Sequence, residues 1–329
     1  MANLTNTVSC SSFPENTDRC ETVITIRKVA GAFSLTGCLF MIAVIWLFRK
    51  YVVFAQRMIL YLSIGALLDS IAYLMSNTIE DGPLCDFQAW WLTFFDWTVL
   101  LWVACITFNL YMNVVRATST ERFEGVYHIV CWGLPLCMSL LPFINDHYGP
   151  AGAWCWIVED IAWRLGIWYA PLFLIIVLLF AAYIYIILTL SRKASTWEGT
   201  YDPDTERNHQ MLREDIKPLR LYPFVYLIVS IFPLINRIQN AFAPHNHVFA
   251  LVVLACLSAP LHGALNALVF GMDRETLKKL TPMQIMTALQ ARVHPQEVRE
   301  YPLAVGHLDD LEATPDNSKF RHVAYTRLH

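Results

Sequence analysis

The chain has 329 residues, of which 56% are hydrophobic and only 16% are charged, and its formal net charge is −3. A soluble domain usually carries about 25% charged residues, and the mean hydropathy here is +0.42. This composition argues against a cytoplasmic enzyme, a nucleic-acid-binding protein and a disordered chain. It favours a polytopic membrane protein, in which charge matters by its side of the membrane and not by its sum.

Seven segments are apolar over the length of about 20 residues that a helix needs to cross a bilayer. We therefore predict an all-α fold, a seven-transmembrane-helix bundle over residues 29–271, after an extracellular N-terminal arm at residues 1–28. The predicted spans are Val29–Phe48, Met58–Thr78, Phe87–Val115, Val126–Phe143, Trp163–Leu190, Leu219–Gln239 and His247–Gly271.

The distribution of Lys and Arg predicts the orientation of the bundle. Basic residues concentrate in alternate connections and after the last span, which places these on the cytoplasmic side and the N-terminus outside. Asn3 begins an Asn-Leu-Thr glycosylation acceptor, which agrees with that orientation. The sequence thus predicts a multi-pass protein of the plasma membrane. Five basic residues are expected to face a cytoplasmic partner: Arg116, Arg122, Arg192, Lys193 and Lys278.

The segment after the last span has an amphipathic pattern. In Met272–Leu280, Leu277 and Leu280 lie on one side of a helix, and two lysines lie on another. We predict that this segment is a short helix on the membrane lipid, within a region at residues 272–290 that also contains the start of the tail, although an ordinary charged linker is the alternative. Residues 291–329 are polar and rich in proline, which predicts a disordered cytoplasmic tail.

Nine cysteines are present, and four of them fall on the predicted outer side. These four, which permit three pairings, are Cys10, Cys20, Cys85 and Cys155. Cys85 opens the third span and Cys155 lies in the longest outer loop, so a bridge between them would fasten that loop over the bundle mouth. We favour this pairing, which leaves Cys10 with Cys20.

Ionisable and amide side chains inside predicted spans are costly and mark functional positions by default. Four of them form a predicted polar core, for which glue between helices and a switching role are both open interpretations. These are Asp69, Asn109, His262 and Asn266.

A second set of polar and aromatic residues lies toward the outer ends of the spans. Arg164 and Arg237 fall at similar depth on the fifth and sixth spans, and a pair of guanidinium groups there would bind a phosphate or a carboxylate. Tryptophans surround that depth, although some of them belong to the interfacial aromatic belt. The predicted ligand-binding residues are Arg164, Arg237, Asn236, Trp156, Trp168 and Asp96.

Several short motifs occur in order between residues 121 and 263. They are ERFE at 121–124, CWGLPL at 131–136, WCWI at 154–157, RLG at 164–166, YAPLF at 169–173, NRI at 236–238 and HG at 262–263. With these motifs the sequence resembles G-protein-coupled receptors of the cyclic-AMP-receptor-like group, the class of the slime-mould chemotactic receptors. The resemblance covers about Cys85 to Gly271.

This resemblance implies a seven-helix receptor that binds an extracellular ligand and activates a heterotrimeric G protein. It also implies the Cys85–Cys155 bridge. The sequence does not name the ligand, for which a small anionic molecule such as a cyclic nucleotide is a candidate.

Other classes of membrane protein fit the sequence less well. A retinal pump needs a lysine in the last span, and His247–Gly271 has none. The few histidines within spans argue against an intramembrane metal hydrolase, so no catalytic residue, metal or cofactor is expected. A seven-helix channel or transporter without G-protein coupling remains the alternative, although internal symmetry is not evident.

Overall fold

The computed structural model describes residues 13, 16–75, 81–151, 153–158, 161–196, 219–242 and 248–293. Within these ranges the chain is a bundle of helices with one small β-hairpin. Asn3, Cys10, most of the connection after the fifth helix and the tail beyond Val293 lie outside the described residues.

The long helices are labelled in chain order. They are α1 (Thr17–Leu47), α2 (Phe54–Leu74), α3 (Pro83–Arg116), α4 (Glu121–Phe143), α5 (Ile161–Trp163, Arg164–Tyr169 and Ala170–Thr196), α6 (Tyr222–Phe242) and α7 (Phe249–Ser258, Ala259–Leu261 and His262–Gly271). Two shorter helices follow, α8 (Arg274–Lys279) and α9 (Pro282–Val293). The segments Ile129–Gly133 in α4 and Arg164–Tyr169 in α5 are π-helical.

Six helices in the described part of the chain are long and apolar enough to cross a membrane: α1, α2, α3, α4, α5 and α7. Helix α6 has 21 residues, which suffices for a span. Its last third is polar, however, with Asn236, Arg237, Gln239 and Asn240, so its composition is less apolar than that of the other six. The prediction of an all-α membrane protein is confirmed, while a seventh span and the orientation stay predictions.

Several helix boundaries differ from those predicted, and the largest difference is at the start of α1. Helix α1 starts at Thr17 instead of Val29 and runs 31 residues. The additional turns contain Arg27, whose guanidinium stacks on aromatic rings inside the bundle. Helix α2 ends at Leu74, before the predicted Thr78, which lies outside the described residues.

Helices α1 and α7 pack closely through small residues. A Cβ added at Gly263 would lie 2.2 Å from the Ser34 hydroxyl and 2.6 Å from the Cys38 sulfur. A Cβ at Gly37 would lie 2.9 Å from the Ala267 Cβ. Such contacts allow two backbones to approach in an apolar medium, where van der Waals packing and not water release drives helix association.

One end of the bundle carries the hairpin, and we call it the disulfide end. Strand β1 (Tyr148–Pro150) pairs antiparallel with β2 (Cys155–Ile157), so that Gly149 lies opposite Trp156. The predicted disulfide between Cys85 and Cys155 is present, with a Cα–Cα distance of 5.3 Å, and it joins β2 to α3. Cys20 is also a disulfide cysteine, and its predicted partner Cys10 lies outside the described residues.

The other end of the bundle, which we call the basic end, is held by a charged network. The Arg57 guanidinium donates to both carboxylate oxygens of Glu124, at 2.9 and 2.8 Å, and to Glu121 at 2.8 Å. Tyr61 donates to the same Glu124 carboxylate at 2.9 Å. Because this geometry is bidentate and partly buried, it connects α2 to the beginning of α4 more firmly than an exposed ion pair would.

Two helices follow α7, whereas one short helix was predicted. Asp273 caps α8 by accepting a hydrogen bond from the Thr276 backbone N–H at 3.2 Å, and a second helix, α9, follows. Arg292 of α9 donates to the Trp46 carbonyl and lies 4.8 Å from the Trp46 ring centre, so α9 packs against the end of α1. Its exposed apolar face consists of Met283, Met286, Leu289 and Val293. That face would suit a lipid surface, which stays a prediction.

The close packing of α1 on α7 predicts a steric cost at Gly263. Gly263→Ala should lower the thermal unfolding midpoint of the detergent-purified protein by several degrees, because overpacking costs about 1–3 kcal/mol. Gly133→Ala is the matched control, since an added Cβ there meets nothing within 4 Å and alanine is the better helix former. An unchanged midpoint for Gly263→Ala would contradict the close packing.

The disulfide predicts a second effect on stability. The pair Cys85→Ser and Cys155→Ser opens a covalent loop with a sequence separation of 70 residues, and removal of a native disulfide typically costs about 2–4 kcal/mol. We expect a lower unfolding midpoint, measured by differential scanning fluorimetry without reductant. The free cysteine Cys137, which is exposed, gives the control Cys137→Ser, which should leave the midpoint unchanged.

Candidate functional site

The hairpin is held over the disulfide end by three attachments. The first is the disulfide to α3. In the second, Arg164 donates from Nε and Nη2 to the Ile157 carbonyl, at 3.0 and 2.8 Å. In the third, the buried Tyr148 hydroxyl donates to the Ser139 carbonyl at 2.8 Å, and burial raises the pKa of this phenol above its ordinary value. The hairpin therefore has a defined position from which Trp154 and Trp156 reach the bundle.

A cavity lies beneath the hairpin between α1, α2, α3, α5, α6 and α7. It contains about 1060 Å³ of empty space when the solvent at its opening is included. Most of its wall is apolar and comes from residues such as Leu92, Val99, Leu100, Leu172, Ile176 and Val229. A few charged and amide side chains converge on it, which is the usual composition of a ligand site.

Five of the six predicted ligand-binding residues line this cavity: Arg237, Asn236, Trp156, Trp168 and Asp96. Asn236 is 5% exposed, and its Oδ1 has no hydrogen-bond partner among the described residues. Arg164, the sixth, is not among the lining residues. The Arg164 guanidinium is bound to the Ile157 carbonyl, so in this structure its role is to hold the hairpin.

Arg237 packs its guanidinium against an aromatic wall. Its central carbon lies 4.4 Å from the Trp156 ring centre and 5.9 Å from that of Tyr169. Trp156 in turn meets Trp168 edge to face at 5.6 Å, and Trp168 meets Trp97 at 5.2 Å. Such cation–π contacts stabilise a partly desolvated cation and set the orientation of its N–H edge.

Arg27 lines the cavity but is not among the predicted ligand-binding residues. It is 3% exposed, and its guanidinium carbon lies 4.7 Å from the Tyr73 ring centre and 4.4 Å from that of Trp154. The residue precedes the predicted first span, and an arginine in that position ordinarily lies at the membrane–water interface. A predicted first helix that started earlier would have included Arg27, because the residue lies within α1.

Asp96 is the carboxylate of the cavity. Its Oδ1 accepts a hydrogen bond from the Tyr73 hydroxyl at 3.2 Å. Both Arg27 and Arg237 lie within electrostatic range of this carboxylate. The cavity therefore combines two guanidinium groups with one acidic group at the level of the hairpin.

The four predicted polar-core residues do not form one cluster. Asp69 is fully buried on α2, and its Oδ2 lies 3.8 Å from Nε2 of His262, a residue that also lines the cavity. Asn266 is buried on α7, and its Oδ1 has no hydrogen-bond partner within the described ranges. Asn109 belongs to the basic end, where its Oδ1 accepts from Thr120 at 2.7 Å. It therefore connects α3 to the segment that leads into α4.

The predicted cytoplasmic residues lie at or near the basic end. Arg116 ends α3 and Arg122 begins α4, and both are exposed, as are Arg192 near the end of α5 and Lys278 in α8. The backbone of Lys193 belongs to α5, and its side chain lies outside the described part of the chain. Across the described residues no group of three or more His, Cys, Asp or Glu side chains could hold a metal ion.

The known proteins that are similar to this chain include proteins named as cyclic AMP receptors and as G-protein coupled receptors. Cyclic AMP receptor-like protein A of Dictyostelium discoideum is 28% identical over 269 residues, which cover 81% of this chain and 69% of that protein. G-protein coupled receptor 1 of Arabidopsis thaliana is 24% identical over 83% of this chain and 87% of its own length. Cyclic AMP receptor 1 of Dictyostelium discoideum is 27% identical over 67% of this chain and 56% of its length.

A family model covers most of the sequence. It is described as slime mold cyclic AMP receptor, and it matches residues 15–291. This match contains all seven long helices completely, because α1 begins at Thr17 and α7 ends at Gly271. The predicted resemblance is thereby confirmed, together with a multi-pass membrane protein of receptor type. The chain belongs to the slime mold cyclic AMP receptor family.

Proposed function

We propose that the protein is a plasma-membrane receptor that crosses the bilayer seven times, binds a small extracellular ligand in the cavity beneath the hairpin and activates a heterotrimeric G protein. The observation that carries this proposal is the cavity itself, which joins six helices and gathers charged residues under a cross-linked hairpin. Relatives named as cyclic AMP receptors and G-protein coupled receptors support the class.

The orientation follows from two physical arguments. Disulfides persist in oxidising surroundings, which favours the disulfide end outside the cell. The exposed cations Arg116, Arg122 and Lys278 occupy the other end, and the excess of Lys and Arg normally lies on the cytoplasmic side. With an N-terminus outside, α6 completes an odd number of spans. Its polar residues Asn236 and Arg237 then line the cavity and do not face lipid.

Ligand binding would act on the bundle by shifting its population of conformations. A ligand changes that population only by binding the active form more tightly than the resting form, and a tenfold preference corresponds to about 1.4 kcal/mol. Pro233 lies inside α6 and lines the cavity. A proline removes one backbone hydrogen bond and permits a kink, so ligand contact at this level can be transmitted to the basic end of α6.

His262 extends the cavity toward the buried carboxylate of Asp69. Its Nδ1 lies 2.9 Å from the Ala259 carbonyl, which can only accept, so this nitrogen carries the proton of that hydrogen bond. The other ring nitrogen faces Asp69 at 3.8 Å. A ligand that moves α7 would change this separation, which gives Asp69 and His262 a proposed switching role.

The proposal predicts that Arg237→Glu abolishes signalling. The full-length protein would be placed in nanodiscs with a panel of heterotrimeric G proteins, and loading of a non-hydrolysable GTP analogue would be measured with cyclic AMP and a library of small anions. We expect at least one ligand to accelerate loading with the original chain. Arg237→Glu should remove the effect, because it reverses the charge beside Trp156.

The matched control for this experiment is Arg19→Glu. Arg19 is an exposed arginine of α1 that packs on the Phe249 ring at 5.1 Å and does not line the cavity. Its charge reversal should leave loading and surface display unchanged. Absence of G-protein loading with every ligand, combined with ion flux through the protein in liposomes, would instead support a channel or transporter.

A further inference from the structure

We propose that Arg27 of α1, together with Arg237 of α6, binds the oxyanion group of a monoanionic ligand that has an apolar or aromatic body. This inference rests on the proposed function, because it names the ligand chemistry of the same cavity. It assigns the second anion-binding position to a residue of the first helix, whereas Arg164 holds the hairpin.

The first argument is the unsatisfied donor on Arg27. The side chain is 3% exposed, and its Nη1 has no hydrogen-bond partner among the residues that the structure describes. Tyr73 and Trp154 contact the guanidinium at 4.7 and 4.4 Å, but ring faces do not replace hydrogen-bond acceptors at the N–H edge. Burial of an unpaired charged donor is costly. Arg27 lines the cavity, so a small turn of its guanidinium toward a bound oxyanion would supply the missing acceptor.

The second argument is the similarity of the two arginines. Arg237 stacks on Trp156 as Arg27 stacks on Trp154, at the same distance of 4.4 Å. The two tryptophans flank Cys155, so the disulfide that fixes this cysteine also sets both stacking surfaces. Arg27 and Arg237 both line the cavity and approach it from α1 and α6. Two guanidinium forks that line one cavity are suited to the several oxygen atoms of a phosphate or a carboxylate.

The third argument is charge. The charged residues that line the cavity in the described part of the chain are Arg27, Arg237 and Asp96. Among the lining residues, two guanidinium groups and one carboxylate give an excess of one positive charge, which a ligand with a single negative charge would neutralise. Asp69 is not a lining residue; its carboxylate lies 3.8 Å from Nε2 of His262 and also within electrostatic range of Arg27.

The remaining wall determines the rest of the ligand. Leucine, isoleucine and valine side chains from α3, α5 and α6 form most of the surface away from the arginines. Such a wall binds an apolar or aromatic group by removing it from water. A small inorganic anion would therefore fill only the arginine end, while a larger organic monoanion would occupy both parts.

The test measures binding of two simple probes, inorganic phosphate and benzoate, which share oxyanion chemistry but represent phosphate and carboxylate ligands. Thermal unfolding of the detergent-purified full-length protein would be followed against increasing concentrations of each probe, with chloride at equal ionic strength as reference. A ligand that binds only the folded state raises the unfolding midpoint, and well above its dissociation constant the rise grows with the logarithm of its concentration. The variants are Arg27→Gln, Arg27→Lys and the exposed control Arg19→Gln.

We expect at least one probe to raise the midpoint of the original chain and of Arg19→Gln. Arg27→Gln should weaken the affinity roughly 10- to 100-fold, as expected for the loss of a hydrogen bond to a charged group. Arg27→Lys keeps the charge but not the planar fork, so its affinity should be intermediate. The probe whose stabilising effect is weakened by Arg27→Gln then identifies phosphate or carboxylate as the ligand class.

Phosphate also stabilises proteins without a site, because it is excluded from their surfaces. The proposal is therefore overturned if Arg27→Gln responds to both probes as the original chain does, whether the shared response is large or absent. A lower midpoint for Arg27→Gln without any probe, combined with unchanged probe affinity, would show a structural role instead. Failure of the G-protein assay with intact probe binding would reject the receptor function but not this site.

Discussion

The attachment of the hairpin to α3 through Cys85 and Cys155 is the constraint on which the site depends. Cys155 lies between Trp154 and Trp156, so one covalent bond fixes two indole rings over the bundle. Each ring receives the guanidinium of a different helix. Without this fixed aromatic surface, cations at that depth would lack a favourable contact in a poorly solvated cavity, and their cost would rise.

Position within the bundle gives similar side chains different roles. Arg164 donates to a backbone carbonyl and holds the hairpin, whereas Arg27 and Arg237 line the cavity. Asp69 lies beside His262 in the interior, while Asp96 accepts a hydrogen bond from Tyr73 at the cavity wall. The small-residue contact of α1 with α7 brings these elements close enough for α1 to contribute to the site at all.

The two ends of the molecule use different forces. At the disulfide end, a covalent bond and aromatic packing limit the movement of the hairpin. At the basic end, the bidentate contact of Arg57 with Glu124 and the bond of Thr120 to Asn109 hold the connections, while Arg116 and Arg122 stay exposed. A rigid covered cavity and an exposed cationic surface are consistent with ligand recognition at one end and partner binding at the other.

The sequence by itself determined the membrane class, located the long apolar helices, favoured the disulfide and named five residues that line the cavity, because apolar length and costly intramembrane charges leave strong local signals. It did not determine that Arg27 enters the site or that Arg164 leaves it. Those roles depend on an extended α1 and on the position of Ile157 in a hairpin. Such contacts join segments far apart in the chain, so only the tertiary structure decided which arginine meets a carbonyl and which one meets the cavity.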